Sequence, residues 1–572
     1  MLCCFKQISI YFEAIDMNIK RKTLAALLCI LAVCVLAGCS TPAAPTETTG
    51  PTETTTPPWE TGYISALTPE AAYCDEEGTP LGTLLRGTRV EFEPTPDGRN
   101  AIHLDSGVVY LREGTIVTDP ADVIPAHTLY VRTVVNLRDI DGRLLPTLAD
   151  KGAAVQVTGY DHLEEDGEAH MYRVSLGEAE GYIRPWYLAE TEAEALANYD
   201  NGHYATHAGR GNRYGGGDAA SLDYYPREKG PIEGNDMPSE CRTLYIACWR
   251  IDEVDAYLQI AESSGINAFV VDILDGGSVG YAADVMKENC PSGAAAAQNT
   301  VEDYQAAIRK LKDAGYYVIG RITTFNDTYF VKDHPEYAIA NESGEPRKLS
   351  GAYWPSPCSR EAWQYKVDLA VEAVELMGFN EIQFDYVRFP DNTRRHEKAG
   401  TIDFRNTYGE TKAQSVQRFL MYATDILHEH GVYVSADVYG ESAFAYVTAY
   451  GQYWSAISNV VDVISGMPYP VHFGAEGDWR PWEHPYDILH SWGRCVAVRQ
   501  TETATPATVR TWIQAYNAIH KPYNTYGPEE VAAQIRALRD TGCTGGYMTW
   551  NATSSIDKYI SLMPAFAPPE EA

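Results

Sequence analysis

The sequence has no Cys-x-x-Cys pair, and no Gly-x-Gly-x-x-Gly turn follows its first strand-like run in the C-terminal half. The first absence argues against a cysteine-built zinc site, the second against a dinucleotide-binding fold. Positive charge is also scarce: 45 Lys and Arg against 78 Asp and Glu give a formal net charge of −33. That field repels phosphate backbones and anionic lipid surfaces, so no nucleic-acid partner is expected. No apolar run reaches the roughly 20 residues of a comfortable membrane span. What is present is a foldable composition, 45% hydrophobic and 22% charged, which excludes wholesale disorder and collagen-like repeats. At 572 residues the chain is too long for one compact domain. Its 39 Tyr and 11 Trp suit sugar or peptide contacts, and equally a large core.

The N-terminus carries an address. Lys20, Arg21 and Lys22 precede an apolar run over 24–37 that ends in Leu36-Ala37-Gly38-Cys39. Basic start, short apolar stretch and small-small-Cys in that order resemble the signal segment and lipobox of bacterial lipoproteins. The resemblance implies cleavage before Cys39, lipid attachment at Cys39 and an extracytoplasmic protein held to the cell membrane by that anchor alone. Met17 offers an alternative start. Residues 40–60, rich in Thr and Pro, form the expected tether. Seven cysteines remain beyond Cys39, an odd set that defines no disulfide framework.

Two small β units are expected next. Residues 125–190 alternate apolar and polar in short runs, with Asp141-Gly142 and Lys151-Gly152 placed as tight turns need. The order Val-Asn-Leu-Arg, Lys-Gly, Val, Gly-Tyr-Ile resembles a bacterial SH3-like module, and residues 61–120 look like a weaker copy. Such modules imply contact with peptidoglycan or a spacer role. Residues 191–241, Gly- and Asn-rich, read as a linker.

From 242 to 560 apolar runs alternate with stretches of helical period, the pattern of a parallel sheet with crossover helices. Strands are expected over 244–249, 268–274, 317–323, 381–389, 433–439, 461–467, 508–516 and 546–550. Helices are expected over 254–263, 301–314, 361–377, 415–430, 446–459, 486–495 and 528–540. Eight such units predict an α/β chain with a (β/α)8 TIM barrel; a doubly wound sheet is the alternative. In a barrel the C-terminal strand ends line the site. Those ends supply Asp272, Arg321, Asp385, Arg388, Asp437, Tyr439, Glu441, Tyr469, His472, Gln514 and Trp550. Carboxylates inside apolar strands need a partner or a job. Asp385 and Asp437 fall on the inward faces of adjoining strands, about 4.8 Å apart. Their carboxyls are therefore candidates for the roughly 5–5.5 Å pair of a retaining glycosidase.

Other barrel chemistries lack their residues. The first strand has no His-x-His for a metal amidohydrolase, no glycine-rich cradle opens the last helices for a phosphosugar, and Val387 stands where a chitinase-like Asp-x-Asp-x-Glu needs its acid. No metal and no cofactor is expected.

Residues 378–390, Gly-Phe-Asn-Glu-Ile-Gln-Phe-Asp-Tyr-Val-Arg-Phe-Pro, resemble a bacterial "putative glycoside hydrolase" domain family related in strand layout to the α-amylase-like barrels. Supporting stretches lie at 320–327, 434–440, 467–472, 509–516 and 549–551. The resemblance implies a TIM-type barrel that hydrolyses an O-glycosidic bond in a polysaccharide. By position it makes Asp385 the nucleophile and Asp437 or Glu441 the acid/base. Asp272, Arg321, Arg388, Tyr439, Tyr469, His472, Gln514 and Trp550 become substrate contacts. Gln383 stands where α-amylase relatives carry an Arg, which leaves Arg321 or Arg388 as its substitute. The alternative is a surface lipoprotein that binds glycan or peptidoglycan without turnover.

Overall fold

The computed structural model describes residues 59–199 and 211–566. The expected signal segment, Cys39 and nearly all of the tether lie outside the described residues. Among the described residues no helix is long and apolar enough to cross a membrane, and the seven cysteines are free thiols.

Residues 60–117 and 127–189 each form a seven-stranded antiparallel sheet. Numbered from the start of each module, both sheets run 3-2-6-5-4-1-7, so the second module is a topological copy of the first. Strand alternation builds each core: Val90 and Phe92 point inward from Arg89–Pro94, and Val155 and Val157 from Ala154–Tyr160. At the Lys151-Gly152 turn, Gly152 takes φ +83°, open to glycine at no steric cost.

The first module has its own small core around Ile64, Phe92, Ile102 and Leu111. The second shares one continuous apolar cluster with the barrel, and the seam between them is also ionic. Asp425, on the barrel helix Lys412–Glu429, is buried against Arg138 at 2.7 Å, Tyr187 Oη at 2.6 Å and Arg227 at 2.5 Å. Burial pushes its carboxyl up, but the charges of Arg227, Arg184 and Arg138 outweigh burial and hold it at about 2.

The C-terminal half is an α/β unit. Its parallel strands are Cys241–Ile246, Ala268–Asp275, Tyr317–Thr323, Glu381–Asp385, Tyr433–Tyr439, Val463–Met467, Thr508–Val509 with Thr511–Gln514, and Gly546–Trp550. The two ends of this sheet are Thr508–Val509 and Thr511–Gln514, separated in sequence by Arg510 alone, so the sheet nearly closes on itself. A doubly wound sheet, with two distant edges, does not do this. Arg510 bridges the break: its N–H donates to the Ile464 carbonyl at 3.1 Å, and its guanidinium pairs with buried Glu381 at 2.8 Å.

Helices wrap the sheet with side-chain N-caps at Thr300, Ser359 and Thr411. The helix expected over 446–459 shrinks to Trp454–Ser458. Gly451, at φ +90°, packs so close to the Lys412 backbone that a Cβ there would lie 2.8 Å from it, which breaks the helical path. The expected linker is a buttress in its described part: Ala219, Leu222 and Tyr224 pack on Ala413, Val447 and Ala456 of the barrel.

Candidate active site

The fourth strand stops at Asp385 rather than running on to Phe389, because Tyr386 takes φ +50°. That left-handed turn in a bulky residue is strained and needs support. Support comes from the neighbouring chain, where the N–H groups of Thr324 and Phe325 donate to the carbonyls of Asp385 at 2.7 Å and Tyr386 at 3.3 Å. The turn aims the Tyr386 N–H at Asp385 Oδ1, 2.6 Å away, while the other oxygen accepts from Arg321. Both oxygens thus accept N–H donors, as a carboxylate does.

Arg321, on the third strand, is the cation around which the site is built. Besides Asp385 its guanidinium reaches Asp272 at 2.6 Å, Asp275 at 3.2 Å and Asp437 at 3.7 Å. Four acids share one fixed positive charge, and for the two fully buried ones burial opposes ionisation. Burial pushes Asp272 up to about 7 against the opposing pull of Arg321. Asp437 rises well above the carboxylate range, first through burial and then through the charge of Asp385. Its Oδ1 accepts from Trp512 Nε1 at 2.8 Å, and its Oδ2 has no hydrogen-bond partner.

A cavity of about 190 Å³ opens above this cluster, walled by Tyr386, Tyr439, Tyr469, Trp512 and Trp550, with Asp275, Arg321, Asp385, Arg388 and His472 presenting polar atoms. Arg388 is held by Tyr439 Oη at 2.7 Å and lies over the Tyr439 and Tyr386 rings. Burial, with the nearby charge of His520, lowers the pKa of His472. A wider cleft of about 520 Å³ adjoins it, sharing Tyr439, Met467 and His472, and is lined by Asp391, Glu441, Phe444 and Tyr450. Glu441 accepts from Tyr446 Oη at 3.0 Å and Tyr450 Oη at 2.9 Å. Together the two spaces fall within the roughly 300–1,000 Å³ of small-molecule sites.

The expected residues thus divide. Asp385, Arg321, Arg388, Tyr439, Tyr469, His472 and Trp550 line the cavity, and Glu441 lines the adjoining cleft. Asp437, Asp272 and Gln514 do not. Strand register puts Gln383 against Ser435 and Phe384 against Ala436, which brings Asp385 and Asp437 level, yet Asp437 is fully buried beside Trp512. Asp272 is fully buried between Arg321 and Tyr245. Gln514 braces the Val471 N–H at 3.3 Å from behind. Trp512 and Tyr386, both on the wall, lie outside the set expected from sequence. The seventh strand's inward period points to Trp512 as it does to Gln514, whereas the turn that exposes Tyr386 leaves no sequence signal.

A family model described as "Putative glycosyl hydrolase domain" matches residues 243–556, more than half of the chain. Among curated proteins no match is found. Among solved structures, a hypothetical protein from Ruminiclostridium thermocellum is 34% identical, over 34% of this chain and 97% of that one, with a TM-score of 0.29. The glycoside hydrolase domain of PgaB (BpsB) from Bordetella bronchiseptica is 13% identical over 57% of this chain and 99% of that one, at 0.43. A Flavobacterium johnsoniae chitobiase is 11% identical over 58% of this chain and 48% of that one, at 0.39.

Proposed function

We propose, because this chain belongs to the family described as "Putative glycosyl hydrolase domain", that its barrel hydrolyses an O-glycosidic bond of a cell-wall or extracellular polysaccharide. The observation that carries the reading is Asp385: an acid on the wall of an aromatic cavity, both oxygens oriented by N–H donors. In this reading a sugar ring stacks among Trp550, Tyr469 and Tyr439, and Asp385 acts at the anomeric carbon. Arg321 takes the place of the arginine that α-amylase relatives carry two residues before the nucleophile, holding Asp385 in position. Glu441, whose carboxyl faces the adjoining cleft, is the acid/base for the leaving group. Asp437 serves as a buried partner of the cluster instead, since a side chain without access to the cavity does not touch substrate.

Two SH3-like modules that touch peptidoglycan, a lipid on Cys39 and an extracytoplasmic location complete the proposal. They rest on the sequence patterns described above.

One observation favours a second reading, glycan binding without turnover: Asp385 is engaged by Arg321 in an ion pair at the cavity floor. Reducing-end release and isothermal titration on the same panel of wall and exopolysaccharides separate the two. Release that scales with enzyme supports hydrolysis. Saturable binding with no release over days supports the binder and overturns the hydrolase.

A further inference from the structure

Loop 161–171 of the second module is the point where all three folded parts meet. A bridge between Leu163 and Ala169 closes it, Arg86 of the first module donates to the Gly167 carbonyl at 3.0 Å, and His170 Nε2 lies 2.9 Å from Glu429 of the barrel. At its base Asp161 Oδ1 accepts the N–H groups of His162 at 2.7 Å and Met171 at 2.8 Å, which fixes the carboxylate plane. The other oxygen, Oδ2, faces two imidazoles: His170 Nδ1 at 2.6 Å and His162 Nδ1 at 3.2 Å. The two rings stack at 4.6 Å and 26°, and one ligand atom from each of the three residues lies within 4.8 Å of the others.

We propose that Asp161, His162 and His170 form a binding site for a divalent transition ion of the zinc class. Two imidazole nitrogens and one carboxylate oxygen suit a borderline ion, whereas calcium or magnesium prefers an all-oxygen shell. A second observation supports the set. Histidines that bind metal through one nitrogen usually give the proton on the other to a carboxylate, and Glu429 stands at that position on His170. Arg184 lies 3.4 Å from the same nitrogen, but it is paired with Glu429, so its charge is answered. His162 is 59% exposed, which leaves the open side of the site to solvent, with Glu164 at 3.8 Å from its far nitrogen. On binding, the ion takes the place of the hydrogen bond between His170 Nδ1 and Asp161 Oδ2, and a proton released there goes to water. The ion then ties the loop to a helix of the barrel through His170 and Glu429, and so stiffens the junction.

The full chain, stripped with chelator and titrated with ZnCl₂ by calorimetry, should bind one equivalent at this site, and Co²⁺ should give a visible band of low-coordinate cobalt there. His162→Ala, at an exposed position that leaves folding intact, and His170→Ala should remove both signals. Glu429→Gln should weaken binding about tenfold or more without removing a ligand. CaCl₂ should give no saturable heat. Absence of zinc binding, or binding that survives His162→Ala unchanged, overturns the proposal.

Discussion

Replacing Asp425 with Asn removes the carboxylate that faces Arg138, Arg184 and Arg227 at the seam between the second module and the barrel. The folded state holds this acid at about 2, against an ordinary 3.8. At about 1.4 kcal/mol per pKa unit the charged form contributes about 2.5 kcal/mol at neutral pH. The sign follows from proton counting. Below 3.8 the unfolded chain takes up the proton first, so the contribution is complete above about pH 5 and lost as pH falls toward 2. At pH 3 about half of it remains, on the order of 1 kcal/mol. Stripping one partner from a buried ionic cluster costs about 3–5 kcal/mol, because the remaining guanidinium groups then face one another unanswered. Asp425→Asn should therefore lower stability at pH 7 by about 3 kcal/mol, and the gap from the parent should narrow by about 1 kcal/mol at pH 3. Urea unfolding at the two pH values measures both numbers, and amide exchange in Val135–Arg138 reports whether the module loosens first. A variant as stable as the parent at pH 7, or a gap that stays constant with pH, would rule out this role for the Asp425 carboxylate.

Asp272 titrates in the opposite sense. Raised to about 7, it keeps its proton in the folded state after the unfolded chain has lost it, so its ionisation costs stability as pH rises from about 4 to 7. The cost is on the order of 4 kcal/mol at pH 8, and Asp272→Asn should flatten the fall in urea midpoint between pH 5 and 8; an unchanged slope counts against it. Gly451→Ala should destabilise by about 1–3 kcal/mol, through positive φ and a clash with the Lys412 backbone, and should also raise KM by disturbing Tyr450 at the cleft; a neutral melting temperature would contradict the packing. Trp550→Ala should raise KM at least about tenfold with a smaller change in kcat, if the ring is a stacking platform for bound sugar; equal loss in kcat would point to a role in the chemistry instead.

Much of the barrel is legible in the sequence. The strands Tyr317–Thr323, Tyr433–Tyr439 and Gly546–Trp550 and the helix Pro528–Asp540 fall where the pattern puts them. Strands buried on both faces write themselves as short, mostly apolar runs with β-branched and aromatic residues, and Pro528 marks its helix start. The breaks are where tertiary contacts overrule local pattern. Tyr386 ends the fourth strand because Thr324 and Phe325 hold its turn, and Gly451 unwinds a helical stretch against Lys412. Arg510 splits the seventh strand in the course of closing the sheet. The site shows the same limit. Period two tells which strand residues point inward but not their depth, so Asp385 and Asp437 read as equals. The ring of Trp512, from a strand far away in sequence, lies against Asp437, while Asp385 remains on the cavity wall. That Arg321 gathers four acids follows from the order of neighbouring strands in the sheet, which no spacing announces.

In the proposed function Asp385 performs chemistry on a sugar held in the aromatic cavity. Its most direct test is the turnover of Asp385→Asn on a glycan the parent cleaves, read beside the melting temperature of the same sample. Its kcat should fall by at least about three orders of magnitude, with the melting temperature within a few degrees of the parent. A variant that still turns over at a tenth of the parental rate would contradict it.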